Sequence, residues 1–192
     1  ASNGEITTNL ILGGTLTSSN ASGITLSTSA ALALLGNINT TAGDLSLSTS
    51  SSDGLLVLGN LTALSNLSLS ATAGTVRTTV PSTLKTTATA GGSTTLNGST
   101  GAALYGSILA GAQTTKTVPS WRAAAATPAN LTITSSGDLT LAGATAVAGT
   151  TTITAPKVTI TAAGGVISRG SLSVSANGSA TGQGLFSSGL LV

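Results

Sequence analysis

Cysteine and histidine are absent from this 192-residue sequence, and charge is scarce, with six basic and four acidic side chains. The lack of cysteine excludes a disulfide framework, thiol catalysis and thiolate metal sites. A net charge of +2 and three aromatic residues are too few to neutralise a phosphate track or to stack bases. We therefore expect no metal, no cofactor and no nucleic-acid partner.

Long hydrophobic runs are also missing. The longest apolar stretches, AALALLG at 30–36 and GLLVLG at 54–59, are far shorter than the about 20 residues that a membrane-spanning helix needs. The chain opens without the basic and apolar regions of a secretory signal. We expect no membrane span, and either a signal that has been removed or an internal fragment of a longer protein.

The sequence is instead rich in small polar residues and short aliphatic pairs, with 28 serines, 36 threonines and 25 glycines. Leu, Ile and Val recur throughout, which argues against disorder. Leu/Ile-x-Leu pairs begin at Ile24, Leu45 and Leu67 and so recur at nearly equal intervals. Apolar and small polar residues alternate within these repeats, which predicts short strands with one buried face.

Short strands that repeat at such an interval are typical of a solenoid. We predict an all-β fold, a single-stranded right-handed parallel β-helix with about 21 residues per coil and roughly nine coils, as one domain over 1–192. In the late part of the chain, the repeats begin at Leu131 and Val158, so the interval between them is wider than between the early repeats. The alternative fold is an antiparallel sandwich or barrel, since NG and DG pairs, which are common in hairpin turns, occur at four places.

The middle of the chain, residues 77–130, departs from this pattern. TVPS occurs at 79–82 and again at 117–120, and proline cannot donate to a strand ladder. We predict an irregular, proline-flanked insertion within the β-helix. This stretch holds four of the six basic residues, none of the acidic residues and the only tryptophan.

Two interpretations of this stretch stay open. In the first, it is a loop with the tryptophan packed over its base. In the second, aromatic and basic side chains on a rigid scaffold form a binding patch for sugars or a partner subunit. The members of this candidate patch are Arg77, Lys85, Tyr105, Lys116, Trp121 and Arg122.

The acidic residues form no catalytic constellation in the sequence. Glycoside hydrolysis needs two carboxylates across one sugar bond, whereas Asp44 and Asp138 lie several predicted coils apart, and Asp44 and Asp53 both sit in turn contexts. Without histidine there is also no imidazole base. We predict no catalytic residue and no enzymatic activity.

The phrases GDLSL and GDLTL place Asp44 and Asp138 directly before a predicted strand. Asn66 and Asn130 occupy the same position before their own strands. This position requires a short side chain that bonds turn amides, and the preceding glycine adopts dihedral angles that a Cβ atom disfavours. We therefore interpret both aspartates as turn residues.

The segments AGDLSLSTS, SSGDLTLAGATAVAG and NLTITSSGDLTL resemble the degenerate repeats of filamentous-haemagglutinin-type adhesins, which are exported by two-partner secretion. They are also similar to the β-helical passengers of autotransporters. The resemblance covers about 1–76 and 131–184, and the sequence lacks the Asn-Pro-Asn-Gly type of segment of the amino-terminal secretion domain. It implies a secreted or surface-bound β-helix that adheres to cells or surfaces and has no catalytic residues.

We therefore expect a non-catalytic structural protein, secreted or at the cell surface, that acts as an adhesin or a segment of one. Its partners would be glycans or proteins of a host or cell surface. The alternative is a subunit of an extracellular filament that self-associates, because the open strand edges at the ends of a β-helix can stack head to tail. A polysaccharide-active β-helical enzyme is the third hypothesis.

Overall fold

The computed structural model describes residues 10–87, 92–111, 129–161, 164–182 and 185–187. These residues form 21 β-strands, and every pairing between two strands is parallel. The strands stack into a β-solenoid of about 7 turns with about 22 residues per turn. The predicted all-β parallel solenoid is confirmed, and the antiparallel alternative is wrong.

Each full turn of the solenoid contributes to three faces. Face 1 contains β3 (Ile24–Thr28), β6 (Leu45–Thr49), β9 (Leu67–Ala71), β12 (Thr94–Gly98), β15 (Leu131–Ser135) and the first halves of β18 (Thr151–Ile160) and β20 (Leu172–Gly182). Face 2 contains β1 (Leu10–Leu12), β4 (Leu32–Leu34), β7 (Leu55–Val57), β10 (Thr75–Thr78), β13 (Gly101–Leu104), β16 (Leu139–Leu141) and the second halves of β18 and β20. Face 3 contains β2 (Thr15–Ser18), β5 (Asn37–Thr40), β8 (Leu61–Ala63), β11 (Thr83–Thr86), β14 (Ser107–Ala110), β17 (Thr145–Val147), β19 (Val166–Ser168) and β21 (Leu185–Ser187).

The core consists of ladders of aliphatic side chains, with one rung per turn. In the central ladder of face 1, Leu47 pairs with Leu69, and Leu69 pairs with Leu96. All three side chains are buried, and burial of one leucine contributes about 1.5–3 kcal/mol. These repeated rungs stabilise a fold that has few aromatic residues to fill its core.

The predicted register is right in the early repeats and wrong in the late ones. Ile24 pairs with Leu45, and Leu45 pairs with Leu67, which confirms the two early intervals. Leu131, however, pairs with Thr151, at the start of β18. Val158 stacks instead on Leu139, on face 2. The late misalignment arises because β18 passes from face 1 to face 2 as one continuous strand.

The prediction of nine coils is also wrong, because the connections between turns vary in length. The interval between stacked face 1 strands is longer from Leu67 to Thr94 than in the early turns, and longer again from Thr94 to Leu131. Strands β11 to β14 fall within the range 77–130 and pair with the turns on either side. The solenoid therefore continues through much of the predicted insertion, while 112–128 lie outside the described residues.

Candidate binding surface

The corner between faces 2 and 3 carries most of the large apolar side chains that the described part of the solenoid exposes. Leu35 follows β4, Leu58 follows β7 and Tyr105 follows β13. Their exposed fractions are 52%, 38% and 48%, and that of Val80, in the turn after β10, is 75%. We name these four side chains the apolar ridge.

Backbone hydrogen bonds place the ridge residues on successive turns. The N–H of Leu58 donates to the carbonyl oxygen of Leu34 at 2.8 Å, and the N–H of Tyr105 donates to that of Thr78 at 3.3 Å. In the turn between these two, the N–H of Thr79 donates to the carbonyl oxygen of Val57 at 3.1 Å, so Thr79 holds the stacked position and Val80 lies one residue further on. Neighbouring rungs are about 4.8 Å apart, the usual spacing of paired strands, and the ridge extends over four turns with Thr79 between its apolar members.

Sequence reasoning did not identify Leu35, Leu58 or Val80. The signal for the two leucines is a break in the strand alternation: each directly follows an inward-facing residue and directly precedes a glycine, in LLG and VLG. A second apolar residue at such a position has left the strand and lies at the corner. This break distinguishes an exposed corner residue from a core residue.

The predicted binding patch is brought together only in part. Arg77 is exposed on face 2, and Lys85 is half-buried on face 3 of the same turn. Tyr105 lies at the corner between these faces, one turn further on. The two cations therefore flank the apolar ridge. The remaining members of the patch, Lys116, Trp121 and Arg122, lie outside the described residues.

A polar ladder runs along the corner between faces 3 and 1. Asp44 Oδ1 accepts hydrogen bonds from the backbone N–H and from Nδ2 of Asn66, both at 3.0 Å. Asn66 Oδ1 accepts from the backbone N–H and the hydroxyl of Ser93, at 3.0 and 3.1 Å. Asn130 Oδ1 binds Thr150 in the same way, at 2.9 and 3.0 Å. Asp44 thus lies before a strand and accepts a backbone amide as predicted, but the prediction that this amide belongs to its own corner is wrong, because the donor is Asn66 on the next turn of the solenoid.

Asp138 does not share this ladder, and its assignment to the same position is wrong. It precedes β16 on face 2, at the corner between faces 1 and 2. Asp53 lies at the same corner, three turns away. Its neighbour Gly54 is the first of four residues that stack on successive turns, namely Gly54, Thr75, Gly101 and Asp138. Three turns separate these two carboxylates by about 14 Å, which exceeds the about 5–9.5 Å between the carboxylates of most glycosidases.

Face 1 presents a regular array of hydroxyl groups to solvent. Each of its seven strand segments has two outward positions, and thirteen of the fourteen residues there are Ser or Thr. We name this surface the hydroxyl face. Its residues, in chain order, are Thr25, Ser27, Ser46, Ser48, Ser68, Ser70, Thr95, Asn97, Thr132, Thr134, Thr152, Thr154, Ser173 and Ser175.

The described ranges contain no group of three or more acidic, histidine or cysteine residues placed to hold a metal ion. They also contain no helix with the length and apolarity to cross a membrane. Comparison of the chain with protein family models, curated proteins and solved structures found no match.

Proposed function

We propose that this chain is a non-catalytic attachment protein, an adhesin or a segment of one, that is secreted or displayed at a cell surface. The apolar ridge is the observation that supports this proposal. Contiguous exposed apolar side chains mark interaction surfaces, and tyrosine and arginine are enriched among residues that dominate binding energy. Tyr105 and Arg77 provide one residue of each kind, and both lie on a rigid scaffold.

The form of the ridge indicates the kind of partner. Small-molecule sites are concave and bury most of their ligand, whereas the ridge side chains are exposed along a corner between two faces. A line of exposed apolar groups suits an extended macromolecular surface, namely a protein or the face of a surface glycan. The cations of Arg77 and Lys85 on either side would favour partners that carry negative charge.

Attachment can be tested with beads that carry the purified chain, applied to cultured epithelial cells and to an array of glycans and matrix proteins. The double variant Leu58→Ser/Tyr105→Ser removes two of the four ridge side chains and should lose most of the attachment. Ile11→Ser is the matched control, because Ile11 is 64% exposed on face 2 but off the ridge. Attachment that both variants retain, with their circular dichroism unchanged, would contradict the proposal.

End-to-end assembly is a second candidate, favoured by the first described turn of the solenoid. The inward-facing Leu12 and Leu26 are only partly buried, whereas Leu34 and Leu47, stacked on them, have no exposed surface. A further turn, supplied by another copy, would cover these side chains. Negative-stain microscopy should then show filaments that Leu12→Lys/Leu26→Lys abolishes and that Thr62→Lys, at an outward position, leaves intact. Uniform monomers at high concentration would exclude this assembly.

A further inference from the structure

We propose that the hydroxyl face binds ice. This function goes beyond attachment through the apolar ridge and resides on a different face of the solenoid. The surface carries two parallel ranks of outward residues over seven turns; one rank is hydroxyl-bearing throughout, and the other is interrupted only by Asn97 within the described residues. The proposed ligand is the crystal lattice of water, which binds through many equivalent weak contacts and not through one pocket.

The repeat distances of the array carry the argument. Paired strands are about 4.8 Å apart, and outward residues two positions apart on one strand are about 6.6 Å apart. On a prism face of hexagonal ice, oxygen atoms repeat in two perpendicular directions. One repeat distance is similar to the strand spacing, and the other is similar to the spacing of the outward residues. Each rung of the hydroxyl face can therefore hold a water molecule close to a lattice position.

The array is specific to one face and is not a consequence of the serine and threonine content of the chain. The outward residues of face 2 include Ile11, Leu56 and Arg77, and those of face 3 include Lys85 and Leu109. Neither of these faces has an unbroken hydroxyl rank. If composition alone determined the pattern, the three faces would be alike.

The outward groups of the hydroxyl face are available to water. Within the described residues, one hydrogen bond joins two of its side chains, from Ser48 Oγ to Ser27 Oγ at 3.0 Å. The other hydroxyl groups of the face have no protein partner there. They can thus donate to and accept from a water layer, and water-mediated contacts are nearly as favourable in enthalpy as direct hydrogen bonds.

Rigidity and neutrality complete the match to ice. The hydroxyl face carries no charged residue, whereas a strongly hydrated ammonium group would order water around itself and disrupt a lattice. The backbone ladders fix the spacing of the rungs, and the six threonines of the face are stiff at χ1. At these six positions little side-chain entropy is lost when the first water layer becomes ordered.

Two matched pairs of variants test the proposal. Thr132→Tyr and Thr152→Tyr each place a bulky group in the middle of the array. Thr140→Tyr and Thr159→Tyr place the same group on outward positions of face 2, the first in the same turn as Thr132 and the second on the same strand as Thr152. Circular dichroism and thermal unfolding establish that all four variants are folded.

The measurements are thermal hysteresis, the shape of growing ice crystals and the fraction of protein taken up into slowly grown ice. We expect activity in the parent chain, its loss in the two hydroxyl-face variants, and its retention in the two face 2 variants and in Leu58→Ser/Tyr105→Ser. Exclusion of the parent chain from ice would overturn the proposal, as would equal loss in both members of a pair. Binding to microcrystalline cellulose without binding to ice would assign the face to a polysaccharide instead.

Discussion

The Oδ1 atom of Asp44 accepts both the backbone N–H and the Nδ2 of Asn66, which lies one turn further along the solenoid. The bond ties two turns together at a corner where the strand ladder is interrupted. Asn66 needs only an oxygen atom that accepts its two hydrogen bonds, so this role of Asp44 requires no negative charge.

Asp44→Asn should therefore leave stability almost unchanged, because an asparagine Oδ1 can accept the same two hydrogen bonds. Asp44→Ala removes the acceptor and should lower the free energy of unfolding by about 1 kcal/mol. Asp138→Asn should also be nearly silent. Urea unfolding measures all three variants, and a loss of stability or attachment in either asparagine variant would show that the carboxylate itself is required.

Asn66→Asp should destabilise the fold at neutral pH. The new carboxylate would lose the Nδ2 donor and lie one turn, about 4.8 Å, from that of Asp44, and like charges at this distance repel. Salt screens the repulsion between two exposed carboxylates, so the stability difference from the parent chain should shrink as the salt concentration rises.

Asn60→Asp is the control for this effect. The backbone N–H of Asn60 donates to Asn37 Oδ1, and Asn60 Oδ1 accepts the backbone N–H of Thr83, so this ladder contains no other charge. A salt-dependent stability loss of equal size in both variants would refute the explanation by charge repulsion.

Three inward-facing threonines, Thr94, Thr145 and Thr151, are buried with hydroxyl groups that have no hydrogen-bond partner. An unsatisfied buried hydroxyl is unfavourable by about 1–3 kcal/mol. Thr94→Val and Thr151→Val keep the side-chain shape and should each raise the free energy of unfolding by about 1 kcal/mol. Thermal and urea unfolding measure this gain.

Thr49→Val is the opposite case. The Thr49 hydroxyl donates to the carbonyl oxygen of Ala30 and accepts the N–H of Ser51. Its removal leaves both backbone groups without this partner and should destabilise the fold by about 1–3 kcal/mol. If all the valine variants shifted stability in the same direction, the hydrogen-bond inventory of the core would be wrong.

Gly43→Ala should destabilise the corner before β6. Gly43 has a φ of 78°, and an added Cβ would lie 2.3 Å from the carbonyl oxygen of Ala21 in the preceding turn. The left-handed conformation alone is unfavourable by about 1–2 kcal/mol for a residue with a side chain. Gly13→Ala, where no atom lies within 4 Å of the added Cβ, should be tolerated, and equal melting temperatures would contradict this account.

The sequence alone determined the parallel solenoid, the early register and the polar position before the face 1 strands. The alternation of apolar and small polar residues decides which side chains face inward, and the spacing of Ile24, Leu45 and Leu67 decides which ones stack. The hydrogen-bonding chemistry of Asp44 and Asn66 follows from their place before a strand. These features are local, so short segments suffice to predict them.

Only the tertiary structure decided which face each later strand occupies. Every face uses the same alternation, and the corners differ in length, so a phrase such as GDLTL fits any of the three. Backbone pairing between turns stacks Val158 on Leu139 and separates Asp138 from Asp44. The same pairing aligns the apolar ridge along one corner and the hydroxyl groups along one face, because both surfaces join residues that are distant in the chain.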